Sequence, residues 1–122
     1  MKKVLYIEDN EINQILFQAS LEDMVDLEMA ENGNDGINLA NKEKFDLIVI
    51  DLNLNDPMMD GFDVLKRLKK DYKSEKNTLF YAYSSYSGEE WEKKCKEAGF
   101  DAFFSKPTPA PKLLEHYEQQ FN

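Results

Sequence analysis

Leu47-Ile48-Val49-Ile50-Asp51 is the most apolar run of the chain, and it closes on an acid. Its β-branched content and lack of alternation predict a strand covered on both faces, as in the middle of a parallel sheet. Val4-Leu5-Tyr6-Ile7, before it, repeats the pattern and runs into Glu8-Asp9. Val25 to Ala30 mixes apolar and acidic residues and predicts a less buried strand. Leu79 to Tyr83 and Ala102-Phe103-Phe104 supply a fourth and a fifth.

Helical spacing fills the gaps. Asn10 is placed to cap a helix in which Ile12, Ile15, Leu16 and Ala19 recur at i, i+3, i+4, i+7, the spacing of one apolar face. A short helix is expected over Asp35 to Asn41, flanked by Gly33 and Gly36. Asp60-Gly61 opens a third, with Phe62, Leu65, Leu68 and Tyr72 on one side. Ser87 and Glu90 have capping-box spacing ahead of a helix with Trp91, Cys95 and Ala98 inward, which Gly99 ends. Pro107, Pro109 and Pro111 are expected to delay the last helix, whose inward residues are Leu113, Leu114, Tyr117 and Phe121. Five strands alternating with five helices imply right-handed crossovers and a doubly wound α/β architecture, a five-stranded parallel sheet with helices on both faces. In such sheets ligands bind beyond the carboxyl ends of the strands.

The 122 residues match one domain, expected over 1–122, with no repeat or linker. With 24 acidic and 15 basic residues the net charge is −9, a poor match for nucleic acid or an anionic membrane surface. The one cysteine, Cys95, excludes an intrachain disulfide framework and a cysteine zinc site. No apolar run approaches the ~20 residues of a membrane helix, and the four apolar residues after Lys3 end on two acids, unlike a signal peptide. A cytoplasmic protein is expected.

The strand ends are polar. The first reaches Glu8-Asp9, the third Asp51, the fourth Ser84-Ser85, and the fifth Ser105-Lys106-Pro107. If strands one and three are neighbours, three carboxylates converge. Their mutual repulsion is costly, and a hard cation offsets it; Mg²⁺ prefers a few carboxylates plus waters. A lysine and a hydroxyl on adjacent strands could hold an anion beside the metal. The combination suits phosphoryl chemistry with a carboxylate nucleophile.

These same residues carry a resemblance that covers nearly the whole chain. Val4-Leu5-Tyr6-Ile7-Glu8-Asp9-Asn10-Glu11, Asp51, Ala82-Tyr83-Ser84-Ser85 and Asp101-Ala102-Phe103-Phe104-Ser105-Lys106-Pro107 together resemble the receiver domain of two-component response regulators. The resemblance implies the flavodoxin-like (βα)5 fold with strand order 2-1-3-4-5. It implies that Asp51 takes a phosphoryl group from a histidine kinase or histidine phosphotransfer protein. Asp9, Asp51 and the backbone carbonyl of Asn53 would bind Mg²⁺, with Glu8 holding a metal-bound water. Lys106 would pair with the phosphate and Ser84 would hydrogen-bond to it. Phe103 would turn inward and remodel the face of helix four, strand five and helix five, where a downstream protein binds.

The chain departs from the family pattern. Pro57 lies six residues after Asp51 and Asp60-Gly61 nine and ten after, where four, seven and eight are usual. Two extra residues therefore sit in the loop after Asp51. Because the metal ligands precede them, the insertion is expected to act on docking or phosphate lifetime more than on metal binding. Glu8 stands where Asp is commoner, Ser85 where alanine is usual, and Phe103 lacks a hydroxyl that the position often carries.

Plainer readings exist for single residues. Glu8 and Asp9 could cap the next helix, Lys106 could be a surface lysine, and Ser84 and Ser85 could be turn residues. His116 reads as a solvated helix residue, Cys95, Phe103 and Trp91 as core or half-buried residues, and Glu28, Glu31 and Asp35 as a solvated acidic face. A Mg²⁺-dependent phosphohydrolase with an aspartyl nucleophile is the rival from another class. Haloacid-dehalogenase phosphatases generally place an acid two residues after the nucleophile; here that residue is Asn53. The short length is expected to leave no room for a DNA-binding output domain.

Overall fold

The buried runs become neighbouring parallel strands. The computed structural model describes residues 1–21, 23–71 and 77–120. Strands β1 (Lys3–Ile7), β2 (Asp26–Ala30), β3 (Leu47–Ile50), β4 (Leu79–Ser84) and β5 (Ala102–Ser105) alternate with helices α1 (Glu11–Leu21), α2 (Gly33–Lys42), α3 (Gly61–Asp71), α4 (Glu89–Ala98) and α5 (Ala110–Gln119). The sheet order is β2-β1-β3-β4-β5, and all four pairings are parallel. This is the α/β, doubly wound, flavodoxin-like order 2-1-3-4-5. No helix among the described residues is long and apolar enough to cross a membrane.

Period-two alternation along each strand divides the core. Leu5, Ile7, Ile48, Ile50 and Ala82 face α2, α3 and α4; Val4, Tyr6, Leu47, Val49 and Tyr81 face α1 and α5. All four β3 residues are buried, as expected for the central strand, while β2 at the edge is mostly half-buried. Gly99 ends α4 at φ 111°, in the left-handed region that suits glycine, and its N–H bonds the Cys95 and Lys96 carbonyls.

Several local expectations change. Asn10 does cap α1, its Oδ1 accepting from Asn13 N at 2.9 Å. Yet Ile12, Ile15 and Leu16 are 67%, 56% and 59% exposed, and Ala19 is also exposed. The inward face is instead Phe17 and Leu21, continued at the first turn by half-buried Asn13 and Gln14. Two contacts fix this rotation. Phe17 stacks on Tyr6 with ring centroids 3.9 Å apart, and Gln14 Nε2 donates to the Glu8 carbonyl at 2.6 Å.

α2 begins two residues earlier than expected because Asn32, not a glycine, is its cap; Asn32 Oδ1 accepts from Asp35 N. Gly33 and Gly36 lie inside the helix, where Met59 and Ile7 approach too closely for a side chain. Ser87 forms no capping box: Gly88 precedes α4 without a side-chain cap, and Ala98 is exposed while Phe100 takes the buried place. Pro111 does not delay α5 but lies in its first turn, where a missing N–H costs nothing. In α3 the unpredicted Val64 is buried beside Leu65 and Leu68, while Phe62 is half-buried. His116 is half-buried rather than solvated, its Nδ1 2.6 Å from the Tyr81 hydroxyl. Tyr72 and Phe121 lie outside the described residues. Cys95 is buried as expected, and burial pushes its thiol up to about 11.

The rotation of α1 is testable by paired truncations. Phe17→Ala should lower unfolding free energy by about 3–5 kcal/mol, the usual cost for a buried aromatic. Leu16→Ala should change it by less than about 1 kcal/mol. Urea unfolding curves measure both, and a reversed ranking would restore the helix face read from spacing.

Candidate functional site

Glu8, Asp51 and Lys106 are each the first residue beyond a strand, and their backbone is still held by the sheet. Glu8 N donates to Ala30 O at 3.0 Å, Asp51 N to Ile7 O at 3.0 Å, and Lys106 N to Ser84 O at 2.7 Å. The parallel register therefore delivers these side chains to one end of the sheet without a long loop. Glu8, Asp9 and Asp51 each offer a carboxylate oxygen within 4.8 Å of the others, a donor set that fits a hard divalent cation.

Glu8 has no exposed surface. Its Oε1 accepts from Lys106 Nζ at 2.6 Å and from the Tyr6 hydroxyl at 2.8 Å, and its Oε2 accepts from Asn10 N at 3.1 Å. Sequence reasoning missed Tyr6. The signal was available: residues two apart in a strand share a face, so a tyrosine two before Glu8 puts its polar tip beneath that carboxylate. Burial raises the Tyr6 hydroxyl pKa and Glu8's charge raises it further, so it stays a donor.

Asp51 is 5% exposed. Its Oδ1 accepts from Asn53 N at 3.1 Å, and its Oδ2 lies 3.6 Å from Lys106 Nζ. Lys106 thus bridges the two buried acids but sits nearer Glu8. The two carboxyls are pushed apart. Burial, then the charge of Glu8, raises Asp51 from 3.8 to about 6, against the pull of Lys106 and the Asn53 N–H. Burial also raises Glu8, but its bonds to Lys106 and Tyr6 outweigh that and leave it below the ordinary value.

The remaining expected residues surround this core. Ser84 is fully buried, and its Oγ accepts from Tyr86 N at 3.1 Å, a bond that does not use the hydroxyl proton. Tyr86 in turn stacks on Trp91, centroids 4.3 Å apart. Ser85, by contrast, is exposed, as is Asn53. Phe103, on β5, is half-buried on the face of the sheet that packs against α4, opposite to the face that carries Tyr83. Asp9 is half-buried, and its Oδ2 accepts from Asn55 N at 2.8 Å. The loop insertion therefore touches a candidate ligand directly, although the ligands precede it in sequence.

A 2-1-3-4-5 parallel sheet with three carboxylates and one lysine at its carboxyl end defines the receiver class of α/β domain. The chain matches the response regulator receiver domain family over residues 4–118 and belongs to it. Over 115 residues it is 30% identical to the polar-differentiation response regulator DivK of Brucella anthropi, covering 93% of this chain and 91% of that protein. The fold superposes on the chemotaxis protein CheY4 of Vibrio cholerae with a TM-score of 0.83 at 24% identity, covering 98% of each chain. The receiver domain of the Francisella response regulator 1452 gives 0.82 at 27% identity, covering 99% of this chain and 97% of that one. The chain is a receiver domain of the two-component response regulator kind.

Asp51's raised value predicts a pH-dependent cost. A folded value near 6 against 3.8 unfolded means that ionised Asp51 opposes folding. The cost is absent below about pH 4, grows between the two values, and reaches about 3 kcal/mol above pH 6. In metal-free buffer Asp51→Asn should therefore stabilise the protein by about 3 kcal/mol at pH 7.5 and hardly at all at pH 4. Denaturant unfolding at the two pH values measures this; a gain that is equal at both would remove the electrostatic cause.

Proposed function

We propose that this receiver domain, residues 1–122, accepts a phosphoryl group on Asp51 from a phosphohistidine of a histidine kinase or histidine phosphotransfer protein. The observation that carries the reading is Asp51 itself, a buried carboxylate between two other acids with Lys106 Nζ 3.6 Å from its Oδ2. Mg²⁺ is the fitting cation; Asp9, Asp51 and the Asn53 carbonyl would hold it, with Glu8 acting through a bound water. When bound it neutralises charge on the phosphoryl oxygens. Asp51 Oδ attacks phosphorus, the histidine N–P bond breaks as the O–P bond forms, and the imidazole leaves with the electron pair. Lys106 supplies positive charge to the phosphoryl oxygens beside Asp51. The reaction is a signalling event, one phosphoryl group per domain, and not turnover of a substrate. Asn53 occupies the place where an aspartyl-nucleophile phosphohydrolase carries an acid, and its amide serves as neither general acid nor general base. A cytoplasmic location belongs to this reading.

The donor has to bring its imidazole to the end of β3. α1 starts two residues after Asp9, so its solvent-facing Ile12, Ile15 and Leu16 rim the approach. A groove of about 340 Å³ between Leu16 and the Lys106–Pro109 turn lies alongside. This apolar stripe is the surface assigned to the donor. On the output side, a phosphoryl group on Asp51 draws the Ser84 hydroxyl toward it. That strains the Tyr86 N–H bond to Ser84 Oγ, and with it the Tyr86–Trp91 stack at the start of α4. Phe103 then has space to turn inward, and the α4–β5–α5 face changes for a downstream protein; a shift in populations is sufficient.

Two experiments test the reading. With acetyl phosphate and Mg²⁺, intact mass should show one phosphoryl adduct that Asp51→Asn abolishes; labelling that survives the substitution overturns the assignment. Ser84→Ala should still accept the phosphoryl group at Asp51. Its NMR shifts at Trp91 and Phe103 on adding beryllofluoride should shrink well below those of the wild type. A full response in Ser84→Ala removes the hydroxyl from the output path.

A further inference from the structure

The loop after β3 is anchored at three places. At its base Gly61 N donates to Leu52 O at 3.2 Å, and a Cβ on Gly61 would lie 2.5 Å from the Asp51 carbonyl oxygen. In its middle Leu54 is 5% exposed and belongs to the core cluster beneath α2 and α3. Before α3, Met59 fills the notch left by a glycine on α2: a Cβ on Gly33 would lie 2.5 Å from Met59 Sδ. A turn at Asp56 joins the last two anchors, its Oδ1 accepting from Met58 N at 2.9 Å and its carbonyl from Met59 N at 3.3 Å. Asn55 follows the buried Leu54 directly, so its N–H is set by these anchors and not by its own exposed side chain. That N–H donates to Asp9 Oδ2 at 2.8 Å, across 46 positions of sequence.

We propose that the Asn55 N–H is a positioning group for Asp9, and that the lengthened loop thereby sets the affinity of the acidic pocket for a divalent cation. The inference rests on the metal reading above and deepens it. A carboxylate bound through one oxygen has its other oxygen free to be held. Holding it fixes the rotamer and spares the cation the entropy of ordering a half-exposed side chain. The N–H also draws charge from Asp9, which eases the repulsion among the three acids before a cation arrives. Restoring the usual loop length would remove this donor. The insertion thus acts on the metal site itself, against the expectation from chain order, because the loop folds back over β1 instead of away from it.

The test separates backbone from side chain. Asn55→Ala keeps the N–H, and Asn55→Pro removes it. Mg²⁺ alone is titrated into each protein, followed by the Asp9 and Asp51 amide NMR shifts, with thermal unfolding in chelator to establish the fold. Asn55→Ala should bind within about twofold of wild type, and Asn55→Pro about 10-fold more weakly, the usual loss for a group that orients a metal ligand. Deleting Asn55 and Asp56 should weaken binding as Asn55→Pro does. Three outcomes overturn the proposal: Asn55→Pro binding like wild type, Asn55→Pro binding more tightly, or Asn55→Ala losing as much as Asn55→Pro. Should Asn55→Pro fail to fold, amide exchange at Asn55 in the wild-type protein decides. Slower exchange on adding Mg²⁺ supports the proposal, and faster exchange overturns it. A wild type that does not bind Mg²⁺ at all overturns the metal reading, and this inference with it.

Discussion

Glu8 lies wholly out of solvent at the carboxyl end of β1, and Lys106 reaches it from the end of β5 at 2.6 Å. An unpaired carboxylate in that position would cost several kcal/mol, so the ammonium and the Tyr6 hydroxyl are what make its burial tolerable. The rest of the site is arranged around this pair. Burial and the charge of Glu8 raise the carboxyl of Asp51, whose share of the lysine is too weak to offset them, while the bonds of Glu8 to Lys106 and Tyr6 outweigh its burial and lower it. The pocket therefore holds one settled acid and one whose charge is unfavourable.

That imbalance has a structural origin in the parallel sheet. Parallel strands end together, and Glu8, Asp51 and Lys106, the residues just past β1, β3 and β5, are still tied by their N–H groups to the neighbouring strand. Side chains there are placed with strand precision at one end of the sheet. β1 and β3 are adjacent, so acids on both must meet; β4 and β5 follow, so the hydroxyl of Ser84 and the ammonium of Lys106 arrive on one flank. Loops add to this frame. The segment from Leu52 to Gly61 is pinned by Leu54 and Met59, and its backbone reaches Asp9 on the other flank.

α1 shows where sequence pattern and structure part. Its spacing of Ile12, Ile15, Leu16 and Ala19 is that of an inward face, yet those residues meet solvent. A helix turns toward the sheet the side that gains most there. Phe17 gains a stack on Tyr6, Leu21 gains full burial, and Gln14 satisfies the Glu8 carbonyl. Periodicity counts apolar residues but does not weigh a single aromatic contact or a hydrogen bond at the helix start. The stripe left outside is a set of neighbouring exposed apolar residues, the kind of surface that marks protein-binding faces.

From the sequence alone came the alternation of five strands and five helices, the parallel architecture, and the acids, hydroxyl and lysine at the strand ends. These are legible because burial imposes runs on strands and leaves polar residues where strands stop. Family likeness supplied the strand order and the roles, which pattern alone does not contain. Only the tertiary structure decided which side of α1 faces in, that Lys106 rather than solvent meets Glu8, that His116 meets Tyr81, and that Asn55 reaches Asp9. Each of these depends on contacts between residues far apart in the chain, or on the competition of several faces for one buried surface. A local pattern states what a segment prefers by itself; the packing of the whole selects among those preferences.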